Sequence, residues 1–105
     1  MGRISGDFYE WNENNVRNVP AQSGVYGLYE SMNEEGLIYI GSSSDLRERF
    51  MHYWNTEFSE DPCKRSTRHY KRELTRDYER REKELLEQYQ REHNGRLPRC
   101  NEKVP

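Results

Sequence analysis

The longest uninterrupted apolar run in the chain, Leu37-Ile38-Tyr39-Ile40, is only four residues long. A run that short suits one buried strand and falls far below the ~20 residues needed to cross a membrane. A largely polar, turn-prone segment, Ser31 to Gly36, lies between it and a second stretch rich in β-branched and aromatic residues, Gly24-Val25-Tyr26-Gly27-Leu28-Tyr29. The two predict an antiparallel hairpin over 24–29 and 37–41. With Tyr26 set opposite Tyr39, Leu28 falls opposite Leu37, and both tyrosines share a face with the leucine pair.

The flanking sequence predicts helices packed on this hairpin. Ser42-Ser43-Ser44-Asp45 supplies capping side chains for a helix over Leu46 to Trp54. Leu46, Phe50 and Tyr53 repeat at helical spacing and form its buried stripe. Arg49 borders that stripe, Arg47 lies on the opposite flank and His52 turns outward. A polar connection containing Pro62 follows, then Thr67 to Leu74 as a third strand. A long helix runs from about Asp77 to His93, closed by Gly95 and kept from restarting by Pro98.

Of the 105 residues, 31% are hydrophobic and 34% are charged, which leaves material for one thin core, its edges covered by eight tyrosines. The expectation is therefore one domain over residues 1–105, of α/β (α+β) class, with a small antiparallel three-stranded sheet and flanking helices. Residues 1–18 are an arm lying over the sheet, and Pro20 marks the turn into the first strand. Met1 to Gly6 has no apolar leader and no lipidation pattern, which predicts a cytoplasmic, intracellular protein with no membrane partner. In that compartment Cys63 and Cys100 would be reduced. A zinc site joining them to His69 and His93 matches no common finger spacing.

Charge is unevenly spread. Residues 63–83 hold nine Lys or Arg and four acids, a net +5 in a chain whose total is −2. Lys64, Arg65, Arg68, Lys71 and Arg72 are the candidate phosphate contacts in this segment, with His52 and Arg49 nearby; a solvated charged face is the other reading. On the last helix Glu82 precedes Leu85, Leu86 and Tyr89 by three, four and seven residues and so shares their face. A carboxylate placed there either holds an ion or sits at the rim of the core, reaching water or an arginine.

Gly24-Val25-Tyr26 and, thirteen residues on, Tyr39-Ile40-Gly41 resemble the two signature strands of the GIY-YIG nuclease superfamily. The resemblance continues through Val19-Pro20 ahead of the first strand, Arg49 eight residues after Gly41, Glu82 on the last helix and Asn101 near the end. It covers roughly residues 19–101. Ser42 stands where many members carry Lys. Tyr53 stands where the family has His or Tyr, four residues after its arginine.

The resemblance implies a fold of that family and a divalent-metal-dependent endonuclease acting on DNA. In it Glu82 would hold one Mg²⁺ (or Mn²⁺) per site, a hard ion that keeps several waters. Arg49 would offer a planar, permanently charged fork to the phosphate. Tyr26 would activate the attacking water and Tyr39 position it, or the reverse, with Tyr53 keeping a hydroxyl near the phosphate. Gly24, Gly41 and Asn101 would be structural support. Family members usually borrow specificity from an attached domain, so weak or structure-dependent cutting, or recruitment by a separate protein, is expected, with one strand cut per site. The alternatives are a catalytically silent module of the same fold that binds DNA structures, and a protein-interaction or zinc module.

Overall fold

The computed structural model describes residues 3–105. A mixed α/β fold forms from β1 (Tyr9–Glu10), α1 (Glu13–Arg17), β2 (Gly24–Tyr29), β3 (Leu37–Ser43), α2 (Leu46–Thr56), β4 (His69–Leu74) and α3 (Tyr78–Glu92), with 3₁₀ turns at Glu34–Gly36 and Pro62–Ser66. The sheet is antiparallel, four-stranded and ordered β1-β4-β2-β3. Among the described residues no helix is long and apolar enough to cross a membrane.

The expected sheet of three strands is one strand short. The N-terminal arm contributes β1, whose Tyr9 and Glu10 pair with Tyr70 and His69. Two residues carry no alternation to read from sequence. Their place is fixed by a tertiary contact, the stacking of Tyr9 on Tyr70 with ring centroids 5.3 Å apart. The arm also forms α1, where the Asn12 side chain caps the Asn15 amide and Val16 points into the core.

The hairpin forms where expected, but its register is slipped by two residues. Tyr26 faces Gly41 and Leu28 faces Tyr39. The reason is steric: a Cβ on Gly41 would lie 2.6 Å from the Tyr26 ring and hydroxyl, so the tyrosine occupies the space that a side chain would need. Because the slip is even, Tyr26 and Tyr39 still share a face. A bulge between Leu28 and Tyr29 takes up the irregularity towards the turn.

A core lies on each side of the sheet. On one side Val16 of α1 and Leu46, Phe50 and Tyr53 of α2 pack on Tyr26, Leu28 and Tyr70. On the other, Leu85 and Leu86 of α3 pack on Val25, Ile40 and Ile4. Asp45 caps α2 by accepting from the Glu48 amide at 3.0 Å, and the helix continues to Thr56, two residues past the expected end. It stops where Glu57 and Phe58 turn left-handed at φ 52° and 58°.

Cys63 and Cys100 are joined in a disulfide, contrary to the expectation of reduced thiols. They lie 37 residues apart, and nothing local in the sequence brings them together. What does so is the return of the C-terminal segment along the free edge of β3. There the Cys100 amide donates to the Ile38 carbonyl at 2.8 Å, and the Asn101 side chain bonds both polar backbone groups of Ile40.

Candidate active site

Three elements bring hydroxyls and cations together at one end of the β2–β3 pair. Tyr26 projects from β2 towards α2, Tyr39 projects from the edge strand β3, and α2 presents Arg49 and Tyr53 one turn apart. The Tyr26 and Tyr39 rings lie 6.0 Å apart. The Tyr26 hydroxyl is 2.6 Å from that of Tyr53. Arg49, exposed at the helix surface, holds its guanidinium 5.4 Å from the centre of the Tyr53 ring, and its charge acts on the Tyr26 phenol.

Lys64 completes the cluster. In the sequence it belongs to the basic segment, yet its side chain is only 6% exposed. Its ammonium lies 3.7 Å from the centre of the Tyr39 ring and 3.4 Å from the Tyr53 hydroxyl, and it pairs with Asp61 at 2.9 Å. The Asp61 to Lys64 spacing of three residues across a turn beginning at Pro62 is visible in the sequence; the burial is not. Beside this cluster a cavity of about 210 Å³ opens, lined by Arg49, His52, Tyr53, Glu60, Asp61 and Lys64 among others. His52 stands at its rim, 45% exposed, bonded to Glu60 at 2.7 Å.

Glu82 approaches from α3, which packs on the other face of the sheet. It accepts a hydrogen bond from the Ser42 hydroxyl at the end of β3, and its charge acts on the Tyr39 phenol across that edge. Neighbouring acids find arginines: Glu73 and Glu84 pair with Arg81, and Asp77 pairs with Arg80. Among the described residues Glu82 joins no ion pair. It is half-buried, held by a neutral hydroxyl alone. Ser42, noted in the sequence only as a departure from a lysine, is thus what fixes the carboxylate.

No family model, no curated protein and no solved structure matches this chain. Its site is therefore read from its own geometry.

The local field divides the phenols. Burial pushes Tyr26 well above the ordinary phenol range, neighbouring Tyr53 and Tyr39 push it further, and Arg49 opposes them. Tyr39 is also raised by burial and by Tyr53, but two cations, Lys64 and Arg49, pull it back while Glu82 resists. Tyr39 is also half-exposed, whereas Tyr26 has no exposed surface. Burial works against the charge on Lys64, yet Tyr53, Asp61 and Tyr39 hold the ammonium above the usual lysine range.

The basic segment does not form one stripe. Successive residues of a strand point to opposite faces, so Lys71 and Arg72 part company. Lys71 is buried against Glu34 at 2.7 Å and the Phe8 ring, away from the phenol cluster. Arg72 lies over the Tyr9 ring with its Nε buried and without a partner. Only Arg65 and Arg68 of the five face solvent freely, and they line a cavity of about 720 Å³ with the half-buried Trp11 and Trp54. The alternative zinc arrangement, already at odds with common finger spacings, is closed to Cys63 and Cys100 once they are joined in a disulfide. Gly24 and Gly41 act through close approach: a Cβ at Gly24 would lie 2.3 Å from the Glu73 carbonyl.

Proposed function

We propose that this protein is a metal-dependent endonuclease of GIY-YIG type that hydrolyses DNA phosphodiester bonds, one strand per site. The observation that carries the reading is the gathering of three phenols and Arg49 at one end of the hairpin, with a half-buried carboxylate, joined to no cation among the described residues, across the strand edge.

Phosphodiester hydrolysis requires that an attacking water lose a proton and that negative charge on the phosphoryl oxygens be compensated. Arg49, exposed and permanently charged, suits the second task. Tyr39 suits the first: it is the accessible phenol, and although burial and Tyr53 raise it, Lys64 and Arg49 pull it back towards the ionised form. Tyr26, fully buried and bonded to Tyr53, then braces the cluster, so the assignment with Tyr39 as base is preferred over its reverse.

Mg²⁺ fits the donors at Glu82. The carboxylate and the Ser42 hydroxyl are hard oxygens, no ammonium or guanidinium competes for them among the described residues, and one carboxylate suffices for an ion that keeps most of its waters. When bound, the ion supplies Lewis-acid stabilisation of the departing oxygen. Arg65 and Arg68, with Trp11 and Trp54, are the surface best suited to hold the flanking DNA strand, the arginines to phosphates and the indoles to bases.

Incubating supercoiled plasmid with the protein and Mg²⁺ tests the proposal. Wild type is expected to produce nicked circles and Glu82→Ala to produce none; equal behaviour of the two would remove Glu82 from the chemistry. A module that binds DNA without cutting it is the second reading. It is favoured by the complete burial of Tyr26, which also suits a purely structural tyrosine. DNA retention by wild type with no nicking in Mg²⁺ or Mn²⁺ would select it.

A further inference from the structure

A lysine ammonium and an arginine guanidinium can only donate hydrogen bonds, whereas a phenol hydroxyl can donate one and accept others. The Tyr26 and Tyr53 hydroxyls stand 2.6 Å apart, and by distance alone either could be the donor. Each has a cation beside it: Lys64 at Tyr53, Arg49 at Tyr26. The two cations are not equal. Lys64 is buried, 3.4 Å from the Tyr53 oxygen and within hydrogen-bonding distance of it. Arg49 is solvent-exposed and its charge is correspondingly screened.

We propose that Lys64 is a positioning residue that biases the direction of this bond: with a Tyr53 lone pair taken by the ammonium, the Tyr53 hydroxyl is left to donate its own hydrogen to Tyr26. The inference rests on the functional reading above only for its catalytic meaning, since bond direction exists without substrate.

Three features hold Lys64 to this task. Asp61 fixes the ammonium from the far side at 2.9 Å. The backbone of Lys64 is tied within its 3₁₀ turn, its amide donating to the Asp61 carbonyl and its carbonyl accepting from the Thr67 amide and hydroxyl. Cys63, its chain neighbour, is bonded to Cys100, which is itself hydrogen-bonded to Ile38 beside Tyr39. A flexible side chain is thereby anchored at both ends. The direction it sets has a consequence at Tyr26. With its oxygen accepting from Tyr53 and facing Arg49, its own hydrogen is the one left without an acceptor among the described residues. Tyr26 is then the phenol whose hydrogen stays undonated within the core, under the charge of Arg49.

Tyrosine labelled with ¹³C at the ring carbon bearing the hydroxyl gives a resonance for Tyr26 and one for Tyr53, each sensitive to donating against accepting. Lys64→Met is expected to shift both, although of these two phenols only Tyr53 is bonded to Lys64. In a Tyr53→Phe background the same substitution is expected to leave the Tyr26 resonance unmoved, and Lys64→Arg is expected to restore much of the wild-type pattern. Should Lys64→Met fail to fold, Lys64→Gln, which keeps a donor without the charge, is expected to give an intermediate shift.

Resonances that stay in place while only the thermal midpoint falls would overturn the proposal, and so would a Tyr26 shift that persists without the Tyr53 hydroxyl. If the protein nicks DNA, Lys64→Met is expected to lower kcat about tenfold, the effect of losing a hydrogen bond to a charged group, with KM unchanged. The resonances report in the absence of DNA. A protein that cuts nothing but shows the coupled shifts loses the nuclease reading and keeps this one; nicking with unmoved resonances does the opposite.

Discussion

The side-chain amide of Asn101 makes both hydrogen bonds to Ile40 that a neighbouring strand would make, accepting from its amide at 2.9 Å and donating to its carbonyl at 2.9 Å. Strand β3 is a sheet edge, and an edge that bears Tyr39 cannot be left to fray or to pair with another chain if the phenol is to stay in register. One side chain thus does locally what a fifth strand would do. Asn101→Ala strands two partly buried backbone groups, and about 1–3 kcal/mol of stability is expected to be lost. Urea denaturation checks the loss, and hydrogen exchange at Ile40 should accelerate more than at Val25 in the sheet interior.

The disulfide makes a larger contribution. Joining residues separated by 37 positions restricts the unfolded chain by about 4 kcal/mol on the loop-entropy view. Cys63→Ser with Cys100→Ser, or a strong reductant, is expected to lower the unfolding free energy by that order, read as a fall in the urea midpoint. A midpoint unchanged by reductant would mean that the bond does not form in the protein as made.

Gly41 lies beneath the Tyr26 ring, where a methyl group would approach to 2.6 Å. Gly41→Ala is expected to cost about 1–3 kcal/mol, as overpacking does. It should also disturb tyrosine fluorescence or ring resonances at Tyr26, whereas Gly95→Ala, which meets no neighbour, should not disturb them.

Glu73 gives the folded state a defined acid sensitivity. Burial pushes its carboxyl upward, but hydrogen bonds from Arg81 and from Ser5 outweigh that and hold it below the ordinary glutamate range. A carboxyl lowered in the folded state stabilises it fully above the unfolded range, and that stability is lost as pH falls through the folded value. Wild type should therefore lose stability on acidification from neutral pH more steeply than Arg81→Gln. Parallel curves of unfolding free energy against pH would contradict the assignment.

If the site cleaves DNA, Arg49→Ala and Glu82→Ala should each lower the nicking rate by about 10²–10³-fold while leaving the far-ultraviolet circular dichroism unchanged. Arg65→Ala with Arg68→Ala should instead weaken DNA binding and flatten its salt dependence. A pair of variants with the opposite pattern would exchange the roles assigned to the two regions.

Much of the fold was legible in the chain because its signals are local. The capping residues before Leu46, the spacing of Leu46, Phe50 and Tyr53, and the turn between two short apolar runs each act over a few residues, and the corresponding helix and hairpin form. Asn101 was expected only as structural support, on the strength of a resemblance; its two bonds to Ile40 give that support its form. Register was not, because an even slip leaves the facing pattern intact and only the fit of the Tyr26 ring over Gly41 chooses between them. Strand β1 was missed because two residues have no periodicity.

The sequence by itself determined which residue types stand on each element and which face of it they occupy: Tyr26 and Tyr39 on one side of a hairpin, Arg49 beside an apolar helix stripe, Glu82 in line with leucines. Only the tertiary structure decided what those groups meet. It split the basic segment across two faces, buried Lys64 against Tyr39 and Tyr53, gave Glu82 a serine in place of an arginine, and joined Cys63 to Cys100. The physical reason is that charge and burial are properties of surroundings. A lysine is a surface phosphate contact or an internal cation according to the elements that close over it, and that closure is set by contacts between residues far apart in the chain.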